Sequence, residues 1–310
     1  MSIDMVLEKF PILWQPPELS RNHSHMAEFM RELSGQGYGP FAGYEELWQW
    51  SVDHRAEFWS AVWRYGGVVS RSDANLVLED GGAMPGSRWF VGARLNFAEN
   101  LLRYRDEQPA VIFCGEDGRE ERLSYTELYR RTARLAASLQ SLGVGEGDRV
   151  AAIVPNIPQA VIGMLACAWL GAAWSSCSPD FGTQGILDRF GQIAPRLLIA
   201  ADGYRFKGRV IDIRDKVRDV WRALEPACMN CLLIPWQETG GLEGALVWDD
   251  QLEHDLATPP FAQLAFDHPL YILFSSGTTG RPKCIVHGAG GTLLQQLSLI
   301  HISEPTRTMK

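Results

Sequence analysis

Apolar and polar residues follow two different patterns along this chain. Between Tyr44 and Trp63, large aromatic residues recur three or four positions apart. This spacing predicts a helix whose rings pack into a core, with a ligand-stacking surface as the alternative. From about residue 110, short apolar runs alternate with longer amphipathic segments. That alternation predicts an α/β domain with a mostly parallel sheet, helices on both faces and right-handed crossovers.

The same pattern predicts the individual elements. Strands are expected at 110–114, 149–154, 172–176 and 197–200, and helices at 124–143, 159–170 and 183–193. Ser124 and Glu127 have the spacing of a capping box, and Gly143 suits the end of that helix. Asp180 and Asp188 flank the helix start at Thr183, so we interpret them as capping rather than catalytic residues. Gly and Pro residues predict a loop at 235–262.

Composition and charge narrow the classes of function. The 310 residues are 46% hydrophobic and 21% charged, which is ordinary for a soluble protein. A net charge of -8 argues against a general nucleic-acid binder, because phosphate backbones are held by clustered cations. The apolar run from Ala160 to Trp174 is shorter than the ~20 residues that a membrane-spanning helix needs, and the first residues do not have the pattern of a secretory signal. Small molecules are therefore the expected partners.

The cysteines do not indicate a disulfide framework or a metal site. Six cysteines are scattered along the chain, which is typical of the reducing cytoplasm. Cys228 and Cys231 have the spacing of a metal or redox pair, but a second ligand pair does not accompany them. We therefore predict two unrelated thiols and a cytoplasmic protein without metal ligands in this chain.

The segment with the clearest chemistry follows an apolar run. Leu270 to Phe274 is predicted to be a strand, SSGTTGRPK occupies Ser275 to Lys283, and Cys284 to His287 is predicted to be a second strand. Glycines allow backbone N–H groups to approach an anion, hydroxyl groups add donors and one ammonium group neutralises charge. The P-loop of ATPases differs, since it opens a helix and carries Gly-Lys-Ser/Thr. The pattern predicts a phosphate-binding loop, with a merely flexible turn as the alternative.

Several longer strings give this loop a family context. YILFSSGTTGRPKCIVHG resembles the signature loop of the adenylate-forming superfamily. RWFVGARLNFAENLL from Arg88, VPNIPQAV from Val154, GAAWSSCSPDFGTQGILDRFGQI from Gly171 and HPLYILFSSGTTGRPKCIVHGAGGTLLQ from His268 are similar to the acetoacetyl-CoA synthetase family within it. This resemblance runs over nearly all of residues 10 to 297.

The resemblance implies a two-step ligase reaction. A carboxylic acid, here acetoacetate, would attack the α-phosphorus of ATP in the presence of Mg²⁺, giving an acyl-adenylate and pyrophosphate, and the CoA thiol would then displace AMP. The resemblance assigns phosphate binding to the loop: hydroxyl donors to the β- and γ-phosphates, glycines that shape the turn, and one charge-balancing lysine. These residues are Ser275, Ser276, Gly277, Thr278, Thr279, Gly280 and Lys283.

A basic cluster is a second candidate site. Related acetyl-CoA synthetases use arginines in a comparable place to bind the 3′-phosphate of CoA, which implies a CoA-binding role for Arg205, Lys207 and Arg209. Arg209 matches best. A solvated charged loop is the alternative. For His287 we expect packing rather than a role in the acyl site.

The resemblance also implies how the chain is divided. Residues 1–100 are expected to form a helical, Trp-rich extension, residues 101–297 the first part of the AMP-binding domain, and residues 298–310 an atypical, non-native tail. The chain would be a truncated N-terminal portion that lacks the adenine and acyl sites and the small C-terminal domain. We therefore assign no catalytic residue within it and expect it to be inactive alone. Ligation of another short acid, such as acetate, propionate or a branched keto acid, and a non-catalytic nucleotide-binding module stay open as alternatives.

Overall fold

The computed structural model describes residues 13–15, 17–253, 256–275 and 280–297. The chain divides into two compact units, residues 1–68 with 293–310 and residues 69–292. The described part of the first unit is helical. Its helices are α1 (Glu18–Asn22), α2 (His25–Gly35), α3 (Tyr44–Asp53) and α4 (Arg55–Tyr65).

The aromatic segment forms two helices rather than one. His54 has φ -120° and ψ 54°, which interrupts the helix between α3 and α4. The prediction of one continuous helix from Tyr44 to Trp63 is therefore wrong. The rings pack mainly on each other, as Trp50 lies 5.1 Å from Tyr38, 5.5 Å from Phe41 and 6.2 Å from Phe58, centroid to centroid.

The second unit contains the strands. They are β1 (Ser70–Ser72), β2 (Leu76–Glu79), β3 (Arg88–Val91), β4 (Arg94–Leu95), β5 (Pro109–Cys114), β6 (Glu120–Ser124), β7 (Arg149–Ile153), β8 (Ala173–Cys177), β9 (Leu197–Ala201), β10 (Gly203–Phe206), β11 (Arg209–Asp212), β12 (Asn230–Ile234), β13 (Leu246–Val247), β14 (Leu264–Ala265), β15 (Pro269–Ser275) and β16 (Lys283–Gly288). The helices that accompany them are α5 (Phe97–Leu101), α6 (Tyr125–Ser141), α7 (Pro158–Leu170), α8 (Thr183–Phe190), α9 (Arg214–Leu224), α10 (Trp248–Glu253) and α11 (Ala289–Leu297), of which α11 begins in this unit.

A seven-stranded sheet in the order β13-β12-β9-β7-β8-β15-β16 forms the centre of the second unit. Neighbouring strands pair in parallel from β13 to β15, and only β16 is antiparallel to its neighbour β15. The predicted α/β fold with a mostly parallel sheet is confirmed.

Burial on both faces explains why the central strands read as continuous apolar runs. All five residues of β9 are buried. On one face, Leu198 and Ala200 belong to a cluster with Phe190 of α8 and Val217 of α9. On the other face α7 approaches closely, since a Cβ on Gly163 would lie 2.9 Å from the Trp174 ring. The sheet is thus covered by helices on both sides.

The helix ends confirm some sequence predictions and correct others. Ser124 Oγ accepts the backbone N–H of Glu127 at 3.1 Å, and α6 ends before Gly143, which has φ +83°. The reciprocal half of the capping box is absent from this helix start, since the Glu127 carboxylate binds Arg130 and Arg131. Their hydrogen bonds lower the pKa of Glu127 to about 2.

The capping interpretation of the two aspartates is wrong. Helix α8 starts after Gly182, without a side-chain hydrogen bond to its first turn. Asp180 is exposed, and Asp188 accepts a hydrogen bond from Gln184 Nε2 at 2.7 Å. Neither carboxylate caps the helix.

Two segments predicted to be loops contain regular structure. The glycine- and proline-containing stretch 235–262 includes β13 and α10. The basic segment 203–212 is a hairpin in which Phe206 pairs with Arg209 and only Lys207 and Gly208 form the turn. Both residues have positive φ, +51° and +76°, as a tight two-residue hairpin turn requires.

A buried asparagine joins α7 to the segment that leads into β14 and β15. Asn96 is fully buried, and its Nδ2 donates to the carbonyl oxygens of Ala168 at 2.9 Å and Ala262 at 2.8 Å. Its Oδ1 accepts the N–H of Glu99 at 3.1 Å, which caps α5. The side chain therefore fixes the approach of the chain to β15.

Candidate functional site

The predicted phosphate loop, Ser275–Lys283, connects β15 to β16. Ser275 and Lys283 are opposed at the last position of the antiparallel ladder, and Gly280 has φ +95°. The strand–loop–strand context expected from the sequence is confirmed. Ser276, Gly277, Thr278 and Thr279 lie outside the described residues.

The described ends of the phosphate loop are positioned by neighbouring elements. Lys283 is exposed at the start of β16, and Gln192, just after α8, donates from Nε2 to the carbonyl oxygen of Pro282 at 2.9 Å. His287, farther along β16, packs its ring 5.0 Å from that of Tyr271. The hairpin thus opposes Lys283 to Ser275, the last residue of β15, where the predicted phosphate loop begins.

A second site lies where the strand connections diverge. The chain leaves β7 towards β8 on one side and leaves β9 towards β12 on the other. Such a topological switch point leaves a crevice at the carboxyl ends of parallel strands, where ligands commonly bind. A cavity of about 150 Å³ occurs here, which we call the switch-point cavity. Its lining is Phe113, Cys114, Gly115, Glu116, Asp117, Pro155, Asn156, Ile157, Arg205, Trp236 and Gln237.

One wall of the switch-point cavity is aromatic. The rings of Phe113 and Trp236 meet edge to face, 5.3 Å apart at 83°. The Arg119 guanidinium lies 4.5 Å from the centroid of Trp236. The indole therefore contacts both the Phe113 ring and the Arg119 cation. Such a wall suits the flat, apolar part of a ligand such as a purine.

The adjoining backbone is held by a buried carboxylate at the end of β9. Asp202 is fully buried and accepts the N–H groups of Gln237 and Thr239, each at 2.8 Å. Thr239 Oγ1 also donates to Asp202 Oδ2 at 3.2 Å. This carboxylate fixes the segment that follows β12.

The structure separates the three cations that were predicted to bind CoA. Arg205 lines the switch-point cavity. Lys207 lies in the hairpin turn, with Nζ 5.1 Å from the centroid of the Phe206 ring. Arg209 is exposed on β11 and is not among the lining residues. Of the three, Arg205 has the geometry of a cavity residue.

Sequence reasoning missed the residues that complete this cavity. Glu116, Asp117 and Trp236 are brought to Arg205 from segments far away along the chain. A sequence motif could not reveal this group, because its residues become neighbours only when the strands are arranged in the sheet. The turn-forming pair Lys207–Gly208 was a usable signal for the hairpin.

A larger cavity of about 460 Å³ runs along α9 and does not resemble a prepared ligand site. Arg214 binds Asp212 at 2.7 Å and Arg218 binds Asp215 at 2.7 Å, so two of its arginines already have carboxylate partners. We assign no ligand to it.

The described residues contain no cluster of three or more His, Cys, Asp or Glu side chains that could hold a metal ion. Cys228 and Cys231 are fully buried, and burial raises the pKa of the Cys228 thiol to about 12. It is therefore a neutral packing group at neutral pH. Within the same part of the chain, no helix has the length and apolar character needed to cross a bilayer.

A mostly parallel sheet flanked by helices, with the predicted phosphate loop and the switch-point cavity at the carboxyl ends of its strands, defines an α/β protein. Residues 97–309 match the family described as AMP-binding enzyme, and residues 44–101 match the acetyl-coenzyme A synthetase N-terminus. The chain therefore belongs to the AMP-binding enzyme family.

The most informative relatives are acyl-CoA synthetases. The chain is 48% identical over 292 residues to an acetoacetyl-coenzyme A synthetase of Rhizobium meliloti, covering 92% of this chain and 44% of the relative. It superimposes on the structure of acetoacetyl-CoA synthetase from Streptomyces lividans with a TM-score of 0.89 at 41% identity, covering 93% of this chain and 45% of that one. It is also 35% identical to malonamoyl-CoA synthetase of Penicillium aethiopicum, with 92% and 41% covered. The predicted resemblance is confirmed, and the chain spans less than half the length of these relatives.

Proposed function

We propose that this chain forms the nucleotide-binding part of an ATP-dependent ligase that joins acetoacetate to CoA through an acyl-adenylate. The observation that carries the proposal is the hairpin of β15 and β16, which presents Ser275 and Lys283 at the mouth of the phosphate loop. The similarity to two acetoacetyl-CoA synthetases supports the choice of acid.

The proposed chemistry needs a site that stabilises the charge on ATP. A carboxylate does not react with a thiol until its oxygen becomes part of a good leaving group, and adenylation supplies that leaving group. As pyrophosphate departs, negative charge develops on its oxygens, and donors that are already in place lower the barrier without reorganisation. The hydroxyls and N–H groups of the phosphate loop would supply the donors, and Lys283 the positive charge.

Magnesium enters this scheme with ATP, as part of the MgATP substrate. The described residues contain no metal-binding cluster of their own. A phosphate-bound ion needs few protein ligands, because Mg²⁺ usually keeps several waters and is held largely by the substrate phosphates. The proposed role of the chain is therefore to bind the phosphates.

We place the nucleotide end of CoA in the switch-point cavity. Its aromatic wall suits an adenine, and Arg205 supplies a cation for a phosphate. The phosphate loop begins at the carboxyl end of β15, at the same edge of the sheet as the cavity and only two strands from β7. This corresponds to roughly 10 Å across the strands. Both substrates would thus approach the same edge.

The six free thiols support a reducing, cytoplasmic setting.

The decisive experiment is ATP–pyrophosphate exchange in a full-length enzyme that contains this chain. Lys283→Ala is expected to lower acetoacetate-dependent exchange by about a hundredfold, since it removes a charge that acts on the developing phosphate anion. The control is Arg222→Ala, which removes an exposed cation at the end of α9 and should leave exchange unchanged. Full exchange activity in the Lys283 variant would contradict the proposed role of the loop.

A second candidate is the same reaction with another short acid. The similarity to a malonamoyl-CoA synthetase favours it, because related chains serve ligases named for different acids. Exchange measured with acetoacetate, acetate, propionate, malonamate and branched keto acids would rank these substrates. Acetoacetate is expected to give the highest kcat/KM, and a tenfold preference for another acid would reassign the substrate.

A further inference from the structure

Two β-turns meet at the mouth of the switch-point cavity. The turn between β5 and β6 carries Glu116 and Asp117, and the turn between β10 and β11 carries Lys207 and Gly208. Glu116 Oε1 accepts the N–H of Lys207 at 2.9 Å, and its Oε2 lies 3.5 Å from the N–H of Gly208. Asp117 Oδ2 lies 3.4 Å from Arg205 Nε. Two carboxylates therefore face the positive groups of one hairpin.

The β10–β11 turn has the geometry of an anion site. Lys207 and Gly208 both have left-handed backbone conformations, with φ +51° and +76°, and direct successive N–H groups to the same carboxylate. Successive N–H groups in a turn form a concavity that holds one oxyanion. The Arg205 guanidinium lies beside this concavity, on the preceding strand.

The Glu116 carboxylate is not needed to close its own turn. The β5–β6 connection is closed by the N–H of Gly115 donating to Arg119 O at 2.7 Å and by Asp117 Oδ1 accepting the N–H of Arg119 at 3.1 Å. That backbone N–H, helped by the Arg205 guanidinium, holds the pKa of the Asp117 carboxyl below its usual value, so the group is an anion at neutral pH. The glutamate thus makes its hydrogen bonds across to the other hairpin.

The arginine is incompletely paired. Nη1 donates to Gly208 O at 3.3 Å, but the buried Nε–H makes no hydrogen bond to any described residue, although Asp117 is at ion-pair distance. The Nε–H bond of Arg205 is therefore poorly aligned with the Asp117 carboxylate. A better-oriented oxyanion would satisfy this donor.

We propose that Glu116 and Asp117 act as an internal anion at the phosphate-binding end of the cavity, and that the 3′-phosphate of CoA competes with them for Arg205 and the turn N–H groups. The inference rests on the proposed function, since it takes the cavity as the site for the nucleotide of CoA. A phosphate monoester carries more charge and more acceptor oxygens than a carboxylate, so it can displace one. The two acidic residues then set the selectivity between CoA and its dephosphorylated form.

Binding of two nucleotides to the 310-residue chain tests this competition. Adenosine 3′,5′-bisphosphate reproduces the nucleotide end of CoA, and 5′-AMP lacks the 3′-phosphate. Glu116→Gln and Asp117→Asn each remove one charge but keep a carbonyl oxygen for the N–H groups of Lys207 and Arg119. In isothermal titration, each variant is expected to bind the bisphosphate about three- to tenfold more tightly, with a change of less than about twofold for 5′-AMP.

The control lies on the same hairpin. Glu120 is exposed on β6 and its described ion pair is with Arg122 at 3.9 Å, so Glu120→Gln removes an equal charge without touching the second turn. Its affinities should match those of the unchanged chain. Thermal unfolding of all three variants should coincide with that of the unchanged chain, because the amide oxygens preserve the hydrogen bonds to the N–H groups of Lys207 and Arg119.

Each other result overturns the inference in a distinct way. Weaker binding of the bisphosphate to the variants would mean that the carboxylates position the hairpin. An equal gain for both nucleotides, or in the Glu120 control, would mean general electrostatics. Binding by the unchanged chain with no gain in the variants would reject the competition alone. If neither the chain nor any variant binds the bisphosphate at millimolar concentration, the proposed CoA site fails and the inference fails with it.

Discussion

The phosphate loop and the switch-point cavity lie at the same edge of the sheet, but the chain builds them differently. The loop is one contiguous segment, and the register of a single hairpin sets its mouth by opposing Ser275 and Lys283. The cavity is assembled from four segments that are far apart along the chain, around residues 115, 156, 205 and 236. A contiguous site can be recognised as a motif, whereas an assembled site becomes visible only when the strand order is known.

The two sites also differ in how firmly their surroundings are held. Beside the cavity, the buried Asp202 fixes the segment after β12 through paired N–H groups. Beside the loop, β16 is open, and Ile285 and Val286 are 45% and 56% exposed. Removing the buried carboxylate beside the cavity should therefore lower stability strongly, whereas removing an exposed side chain of β16 should lower it weakly.

The largest effect is expected at Asp202. Asp202→Ala leaves the buried N–H groups of Gln237 and Thr239 without acceptors, so we expect a loss of about 3 kcal/mol in the free energy of unfolding. Urea denaturation followed by circular dichroism would measure it. Asp202→Asn keeps one acceptor oxygen and should lose less.

Asp188 provides the matched control for this carboxylate. It lies on α8, and its side chain accepts from Gln184 there, so Asp188→Ala should change the free energy of unfolding by less than about 0.5 kcal/mol. Equal losses at Asp202 and Asp188 would show that the buried carboxylate does not hold the segment after β12.

A smaller effect is expected from replacing Arg205, the cation that lines the switch-point cavity. In a full-length enzyme, Arg205→Ala should raise the KM for CoA about tenfold, which corresponds to about 1.4 kcal/mol. ATP–pyrophosphate exchange should not change, because CoA is absent from that assay. Steady-state kinetics with varied CoA would measure the effect.

Arg209→Ala tests whether the cavity geometry or the family resemblance identifies the CoA-binding arginine. The resemblance favours Arg209, but this residue is exposed on β11 and does not line the cavity. We expect its KM for CoA to change by less than about twofold. A larger effect at Arg209 than at Arg205 would restore the ranking made from the sequence.

Within the central sheet, the sequence predicted β7, β8 and β9, which are buried on both faces, and also β15 and β16, but it missed β12 and β13. Ala151 and Leu198 are fully buried partners in the ladder of β7 and β9, and such positions leave an unbroken apolar run. The prediction missed β6 because Glu120–Ser124 is mostly polar and pairs with β5 on the surface. It also missed the break at His54, since the aromatic spacing continues through it.

In the candidate sites too, sequence patterns revealed local features but not contacts between distant segments. The order of hydroxyls, glycines and lysine in the phosphate loop is a local property, so the residues could be named from the sequence. The contact of Glu116 with Lys207 joins positions 91 residues apart. The carboxylate has no local partner that would have revealed this contact, and only the paired hairpins bring the two turns together. The division of the chain into an extension, an AMP-binding segment and a tail stays a prediction.

The smallest effect is expected on β16, where the exposure of the strand beside the phosphate loop can be tested directly. Val286 and Ile272 are opposed across the ladder of β15 and β16, yet Val286 is 56% exposed and Ile272 only 7%. Replacing an aliphatic side chain by threonine introduces a hydroxyl, which is tolerated in water and unfavourable in a core. Val286→Thr should therefore change the free energy of unfolding by less than about 0.5 kcal/mol, whereas Ile272→Thr should lose about 2 kcal/mol or more. Urea denaturation of the 310-residue chain compares the two variants under identical conditions. A loss above about 1 kcal/mol at Val286 would mean that this face of β16 is covered in solution, and the contrast between an open loop side and an enclosed cavity side would no longer hold.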